Sequence, residues 1–345
     1  MGLFQREKNE VGKTIVPVWF MRQAGRYHSH YQDIKKNSDF MTMCKNPELA
    51  CEVTMGPIDC FNFDAAILFS DLLFPLEQLG MGLVYDPGPK LGKTLDKLED
   101  VQNLKTLAPA RDFYRFQGQA VHLLKQKLNP NKTLLGFVGA PFTLYAYAVE
   151  GSHSGNLISS KNGFYDGRWN AFLEKLLPEL LQEMLLQVES GADAVCLFDT
   201  AAGELTLKDY RTYVIPTLKK ITSQFKKSYP QKKIVYYSKF THLNYLQSLE
   251  DDNIDVLGID WRMSISDALK NLGPNYMIQG NLDPAHLHLP WNLLEQKWQD
   301  LWNEVQSSGV SPSRWIAGLG HGVLQKTPEE NVLNSVNWIH KNCTY

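Results

Sequence analysis

The sequence predicts an α/β fold, a single (β/α)8 TIM barrel in one domain, from three observations. Short apolar runs rich in β-branched and aromatic residues recur eight times, longer amphipathic stretches separate them, and no linker or low-complexity segment interrupts the 345 residues. Such barrels take roughly 200 to 400 residues, so length does not force a second domain. A doubly wound parallel sheet gives a similar alternation, and the pattern by itself leaves that alternative open.

The first run, IVPVWF (15–20), follows a short polar segment of about residues 1–12. The others are DAAILFS (64–70), LLGFVG (134–139), DAVCLFD (193–199), KIVYYS (233–238), VLGID (256–260), YMIQGN (276–281) and RWIAGLG (314–320). Helical periodicity marks PELACEVTMGPIDCF (47–61), NAFLEKLLPELLQEMLLQVES (170–190) and LKDYRTYVIPTLKKITSQFKK (207–227). The proline of the last stretch is expected to mark a boundary.

Charge narrows the partners. Lys and Arg (35) nearly balance Asp and Glu (37) for a formal charge of −2, so nothing draws the whole chain to nucleic acid or to an anionic membrane. Any anion site must be local. The opening MGLFQREKNEVGKT lacks the apolar core of a signal peptide, and its loose myristoylation pattern fails at Arg6. No apolar run approaches the roughly 20 residues that span a bilayer. Five cysteines without CxxC spacing indicate neither a disulfide framework nor a Cys-rich zinc site, and a reducing cytoplasm fits them.

A barrel collects its active site at the C-terminal ends of its strands. The unusual polar residues fall there: Arg22 and Arg26 after the first run, then Ser70 and Asp71, then Thr143, Tyr145 and Tyr147. Asp199 and Thr200, Lys239, Asp260, Asn281 and Asp283, and His321 follow the later runs in turn. The motif MRQAGRY (21–27) sets two arginines four apart beside an apolar strand. Arginine stays charged and grips a carboxylate with two parallel donors, so this pair reads as an anion grip. Gly25 between them permits a tight backbone path. Asp71, taken by itself, reads equally well as a helix cap.

The segments PVWFMRQAGRY (17–27), DAAILFSDLLFP (64–75), GFVGAPFTLYAYAVEG (136–151), QGNLDP (279–284) and GLGHGVLQKTPEENV (318–332) resemble the uroporphyrinogen decarboxylase family, in order, from about residue 13 to residue 340. The resemblance implies a single barrel, a homodimer, no cofactor or metal, and a tetrapyrrole substrate whose four acetate arms become methyl groups. It also implies substrate contacts from Arg22, Gln23, Arg26, Asp71, Tyr147, Thr200 and His321, with Asp71, Arg22 and Tyr147 catalytic. Asp71 would accept hydrogen bonds from the pyrrole N–H groups, Tyr147 would bond Asp71 or an acetate, and His321 would meet a propionate. Thr200 stands where the family has serine. Tyr145 is expected to pack. His28 and Ser29 replace a usual Leu-Pro, and YSKFTH (237–242) lacks an expected glycine, which keeps Lys239 out of the predicted site.

Losing CO2 from an acetate requires an electron sink, and a pyrrole supplies its own once its α-carbon is protonated. Arg22 is the first candidate for donating or relaying that proton and His321 the second, although arginine's pKa above about 12 makes it a poor acid. Two other readings compete. A zinc-dependent methyltransferase acting on corrinoids or thiols needs His-x-Cys, but the corresponding stretch is His242-Leu243-Asn244. A non-catalytic tetrapyrrole-binding protein would not need Arg22, Arg26, Asp71 and Tyr147 together.

Overall fold

The computed structural model describes residues 1–86 and 88–345. Its strands, in chain order, are β1 (Ala65–Ile67), β2 (Leu83–Tyr85), β3 (Pro89–Leu91), β4 (Thr133–Gly139), β5 (Ala194–Asp199), β6 (Lys233–Ser238), β7 (Val256–Gly258), β8 (Met277–Leu282) and β9 (Trp315–Leu319). Seven make one curled sheet in the order β1-β4-β5-β6-β7-β8-β9, every pair parallel. The remaining two, β2 and β3, pair antiparallel as a separate hairpin that the sequence patterns do not announce.

Seven of the expected runs thus become parallel strands, and the eighth, IVPVWF, behaves differently. Pro17 has no N–H to give to a ladder, and the segment makes isolated bridges instead, antiparallel from Ile15 to Thr344 and parallel from Val18 to Ala317 of β9. It still reaches both edges of the sheet. Ala317 N donates to Pro17 O at 2.9 Å, while Asp64 N, just before β1, donates to Val18 O at 3.0 Å. The Asp64 carboxylate then accepts from Val18 N at 2.7 Å and meets His340 of the last helix at 2.9 Å.

Alternation sorts the strand residues into two packing groups. Ala194, Cys196 and Phe198 of β5 join Val235 and Tyr237 of β6 and Ile316 of β9 inside the curl. Val195 and Leu197 pack outward against the helices. Covered on both faces, such strands read as continuous apolar runs rather than as an alternating pattern. The N-terminal segment is less polar in place than in sequence, because Leu3 is fully buried in the inner group and its N–H donates to Thr133 Oγ1 at 2.8 Å.

The helices follow their predicted spans closely. Asn46 accepts from Leu49 N to start the helix Pro47–Phe61, and Asn62 ends it in a left-handed conformation with φ 58°. The long helix Arg168–Glu189 covers β4 and β5. Pro216 leaves the carbonyl four residues back without its usual donor, and the chain widens into a π turn over Tyr210–Val214 before the helix Ile215–Ser228.

One buried polar network links the helix Arg168–Glu189 to the end of β1. Gln117 Nε2 donates to Glu183 Oε1 at 2.8 Å and to Ser70 Oγ at 3.1 Å, while Gln187 Nε2 donates to Gln117 Oε1 at 3.1 Å. Burial pushes the Glu183 carboxyl up to about 8, against the hydrogen bond from Gln117 and with help from the charge of Asp71. The native state therefore binds this proton more tightly than the unfolded chain, whose value is near 4.5. The linked stability is complete below that value and is lost as pH rises through about 8, at up to ~1.4 kcal/mol per pH unit. Glu183→Gln should flatten this dependence: urea titrations at pH 5 and pH 8 should show the wild type losing markedly more stability than the variant. Equal losses would mean that Glu183 titrates normally.

Candidate active site

The loops beyond the C-terminal ends of the strands place Asp71, Tyr147, Lys239 and His321 within electrostatic reach of Arg22. Arg22 follows the Pro17–Phe20 segment with φ 61°, an unusual conformation for a residue other than glycine, and its charge acts on Asp71 and His321. Its aliphatic stem lies on Gly322, where an added Cβ would come within 2.4 Å of Arg22 Cδ. The glycine-rich loop after β9 and the arginine motif are therefore fitted to each other. Arg26 is exposed on the same side, and Gln325, with its amide oxygen turned inward, accepts from its Nη2 and Nη1 at 2.8 and 3.1 Å.

Asp71 follows β1 and is half-buried, whereas Asp199 and Asp260 are almost wholly enclosed. Asp71 Oδ1 accepts from Leu73 N at 2.7 Å, and Oδ2 accepts from the hydroxyl of Tyr85 at the end of β2. Burial raises the Asp71 carboxyl above the ordinary range, while the hydrogen bonds from Tyr85 and Leu73 and the charge of Arg22 pull it down. Tyr147 lies on the helix Pro141–Glu150 beyond β4, its ring 5.1 Å from that of His153. Burial and the charge of Asp71 raise its hydroxyl to about 12, so Tyr147 is a donor at neutral pH.

His321 stacks on Tyr237 with ring centroids 5.9 Å apart and planes 6° from parallel. Burial, then the charges of Arg22, Lys239 and His153, push it down to about 3. A neutral imidazole can offer one N–H to a carboxylate but has no second proton to give near neutral pH. In the unliganded protein His321 is therefore a neutral hydrogen-bond donor and a weaker acid than an imidazolium would be. Thr200 is half-buried just past β5. Beneath it the carboxylate of Asp199 accepts from Thr143 Oγ1 at 2.7 Å and from the Tyr236 hydroxyl at 3.0 Å, an arrangement that supports the end of β5.

Gln23 requires a correction. Expected among the substrate contacts, it is fully buried, with Oε1 accepting from Phe20 N at 3.3 Å and Nε2 donating to Ala65 O at 2.8 Å. It ties the arginine loop to β1 and presents nothing to the cleft. Tyr145 is equally buried, packed against Trp169 and Phe172.

Three residues join the site that the sequence did not place there. Lys239 is half-buried beyond β6 with Nζ 4.3 Å from the Phe240 ring, and Arg262 stacks on that ring at 4.2 Å and on Trp261 at 4.3 Å. Arg262 and Asp260 are two positions apart and pair at 3.3 Å, a signal visible only once β7 is known to end just before them. Tyr85 is the third; it belongs to the unannounced hairpin. Phe198 and Tyr237 give the cleft an aromatic floor, with ring centroids 6.2 Å apart. Among the described residues, no group of three or more His, Cys, Asp and Glu side chains could hold a metal ion.

The result is a cluster of cations, Arg22, Arg26, Lys239 and Arg262, beside the aromatic pair Phe198 and Tyr237, with the half-buried carboxylate of Asp71 within electrostatic reach of Arg22. It suits a polyanionic ligand that also carries N–H donors. Gly322→Ala should displace the Arg22 stem and weaken binding of a macrocyclic polycarboxylate by about tenfold, the scale of one charge-assisted hydrogen bond, with little change in Tm. Titration calorimetry checks this, and unchanged affinity would show that Arg22 does not reach the ligand.

The uroporphyrinogen decarboxylase profile matches residues 4–342. A uroporphyrinogen decarboxylase of Roseiflexus sp. (strain RS-1) is 37% identical over 332 residues, covering 94% of each chain. That of Geobacter sulfurreducens is 36% identical over 335 residues, covering 96% of each. In fold, the chain is similar to a methyltransferase from Methanosarcina mazei, with a TM-score of 0.73 at 17% identity over 95% of this chain and 94% of that one. A B12-independent methionine synthase from Shewanella sp. W3-18-1 gives 0.57 at 9% identity over 85% of each. The two solved structures share architecture alone, whereas the sequence relatives and the profile span nearly the whole chain: it belongs to the uroporphyrinogen decarboxylase family.

Proposed function

We propose that this protein decarboxylates the four acetate arms of uroporphyrinogen III to methyl groups, releasing coproporphyrinogen III and CO2 in haem biosynthesis. The observation that carries the reading is Asp71, a half-buried carboxylate within electrostatic reach of Arg22, which also acts on Lys239 and His321. A site built only to hold a polyanion gains nothing from an aspartate, whereas a porphyrinogen turns its pyrrole N–H donors toward the ring centre.

In this mechanism Arg22 and Arg26 hold peripheral carboxylates, Lys239 and Arg262 extend the cationic rim, and His321 offers an N–H to a propionate. Thr200 adds a hydroxyl at the end of β5, and Tyr147 bonds an acetate or Asp71. A proton reaches the α-carbon beside the reacting acetate by relay past Arg22, leaving an iminium-like pyrrole. Asp71 stabilises that cation as it forms. The C–CO2 bond then breaks, its electron pair flows into the ring, and CO2 departs. Protonation of the exocyclic carbon and loss of the α-proton restore the pyrrole. The net change per arm is one carboxylate and one proton in, one methyl and one CO2 out. The sink is the substrate itself, so the chemistry calls on no cofactor from the protein.

The fold serves this reading if the Val16–Phe20 segment occupies the eighth strand position and the chain forms one closed barrel domain. Its hydrogen bonds to β9 and to Asp64 support that view. The methyltransferase alternative is disfavoured because His242 precedes the short helix Leu243–Gln247 and Asn244 stands where His-x-Cys needs its cysteine. All five cysteines are free and no helix among the described residues is long and apolar enough to cross a membrane, which fits a cytoplasmic enzyme.

Asp71→Asn should keep the fold and some substrate binding but lower kcat by about two to three orders of magnitude, the scale of one lost electrostatic stabiliser. Arg26→Lys should instead raise KM more than it lowers kcat, because only a bidentate grip is lost. Both comparisons are to be run with chelator present and no added cofactor, counting carboxylates on the product. Near-normal kcat in a folded Asp71→Asn would reduce Asp71 to a helix cap or binding group. The family resemblance further leads us to expect a homodimer, and sedimentation at micromolar concentration that finds only monomer would overturn this.

A further inference from the structure

The hairpin of β2 and β3 stands outside the parallel sheet, and two three-residue strands have little stability of their own. Its docking is specific. Val84 faces solvent, while the flanking Leu83 is buried and Tyr85 half-buried against the body of the protein. The Tyr85 ring packs on Phe40 at 4.4 Å, and Phe40 packs on Phe69 at 5.6 Å, two residues before Asp71. Phe69 is itself fixed, because its N–H donates to Thr54 Oγ1 at 2.9 Å. This aromatic stack delivers the Tyr85 hydroxyl to Asp71 Oδ2 while Leu73 N holds Oδ1.

We propose that Tyr85 is a positioning residue for the decarboxylation: its hydroxyl pins the Asp71 carboxylate in the orientation that meets the macrocycle centre. The proposal rests on the role assigned to Asp71 above. With one oxygen held by Leu73 and the other by Tyr85, the carboxylate has no rotameric freedom left to lose when substrate binds. Each oxygen keeps a further lone pair, and these are the acceptors left for pyrrole N–H groups.

The same hydrogen bond has an electrostatic effect. Burial favours the neutral form of Asp71, which could not stabilise a cation, and the Tyr85 donor favours the ionised form. Other groups facing Asp71 are Arg22 from the loop before it, Glu77 from the following helix, Tyr147 from the helix after β4, Cys44 beside Phe40, and Glu183 from the long helix. None is altered when the Tyr85 hydroxyl alone is removed.

The test is the pH profile of Tyr85→Phe. The acid limb of kcat/KM reports the ionisation of Asp71 and should move up by about one pH unit, with kcat at neutral pH falling about tenfold and KM changing little. Site-specific 3-fluorotyrosine at position 85, a stronger donor that keeps the packing, should move the limb down instead. It serves equally if Tyr85→Phe fails to fold. In the Asp71→Asn background Tyr85→Phe should have no further effect on the limb. A limb that stays put in both Tyr85 variants makes Tyr85 a packing residue and overturns the proposal, while the low kcat of Asp71→Asn would leave the role of Asp71 standing. Near-normal kcat in Asp71→Asn would remove both.

Discussion

The short segment from Val16 to Phe20 is held at both edges of the parallel sheet, and the site depends on that grip. Pro17 O and Val18 O accept from β9 and from the residue before β1, and the Asp64 carboxylate, locked by Val18 N and His340, reinforces the junction. Arg22 and Arg26 come directly after it, and Gln23 ties their loop to Ala65. Those bonds fix the segment from which the two arginines project. With them, a flexible charge becomes a fixed one, which an anion site requires because ordering long side chains at the moment of binding costs affinity.

The second constraint is electrostatic. Several cations share one mouth, and each raises the cost of protonating the others. His321 shows the result, driven down by burial and then by Arg22, Lys239 and His153 until it is neutral. Asp71 experiences the opposite pressures, since burial raises it and Arg22 and two hydrogen bonds lower it. The site thereby separates its groups into cations, neutral donors at Tyr147 and His321, and the Asp71 carboxylate, on which burial and its hydrogen bonds act in opposite directions. Paired groups pushed in different directions are the usual mark of catalytic chemistry.

Glycines set the close approaches that make this possible. Gly322 leaves room for the Arg22 stem, and Gly318 brings β9 against Trp19 O, where a Cβ would approach to 2.8 Å. Neither contact can be inferred from a glycine's neighbours in sequence. They join segments some 300 residues apart.

The sequence by itself determined what local pattern can encode. Strands buried on both faces are continuous apolar runs, so β1 and β4 to β9 are legible, as are the helices whose caps and periodicity lie within a few residues of each other. Arg22, Arg26, Asp71, Tyr147 and His321 were legible as candidates because polar residues after apolar runs stand out and their motifs are distinctive. Only the tertiary structure decided how Pro17 would interrupt the first strand, that Gln23 faces inward, and that Leu3 enters the inner core. It also decided that Lys239 and Arg262 share a shelf of aromatic rings, and that a hairpin lays Tyr85 against Asp71. In each case the partner is remote in the chain, and side-chain direction depends on the register and burial of both segments, which no local pattern records.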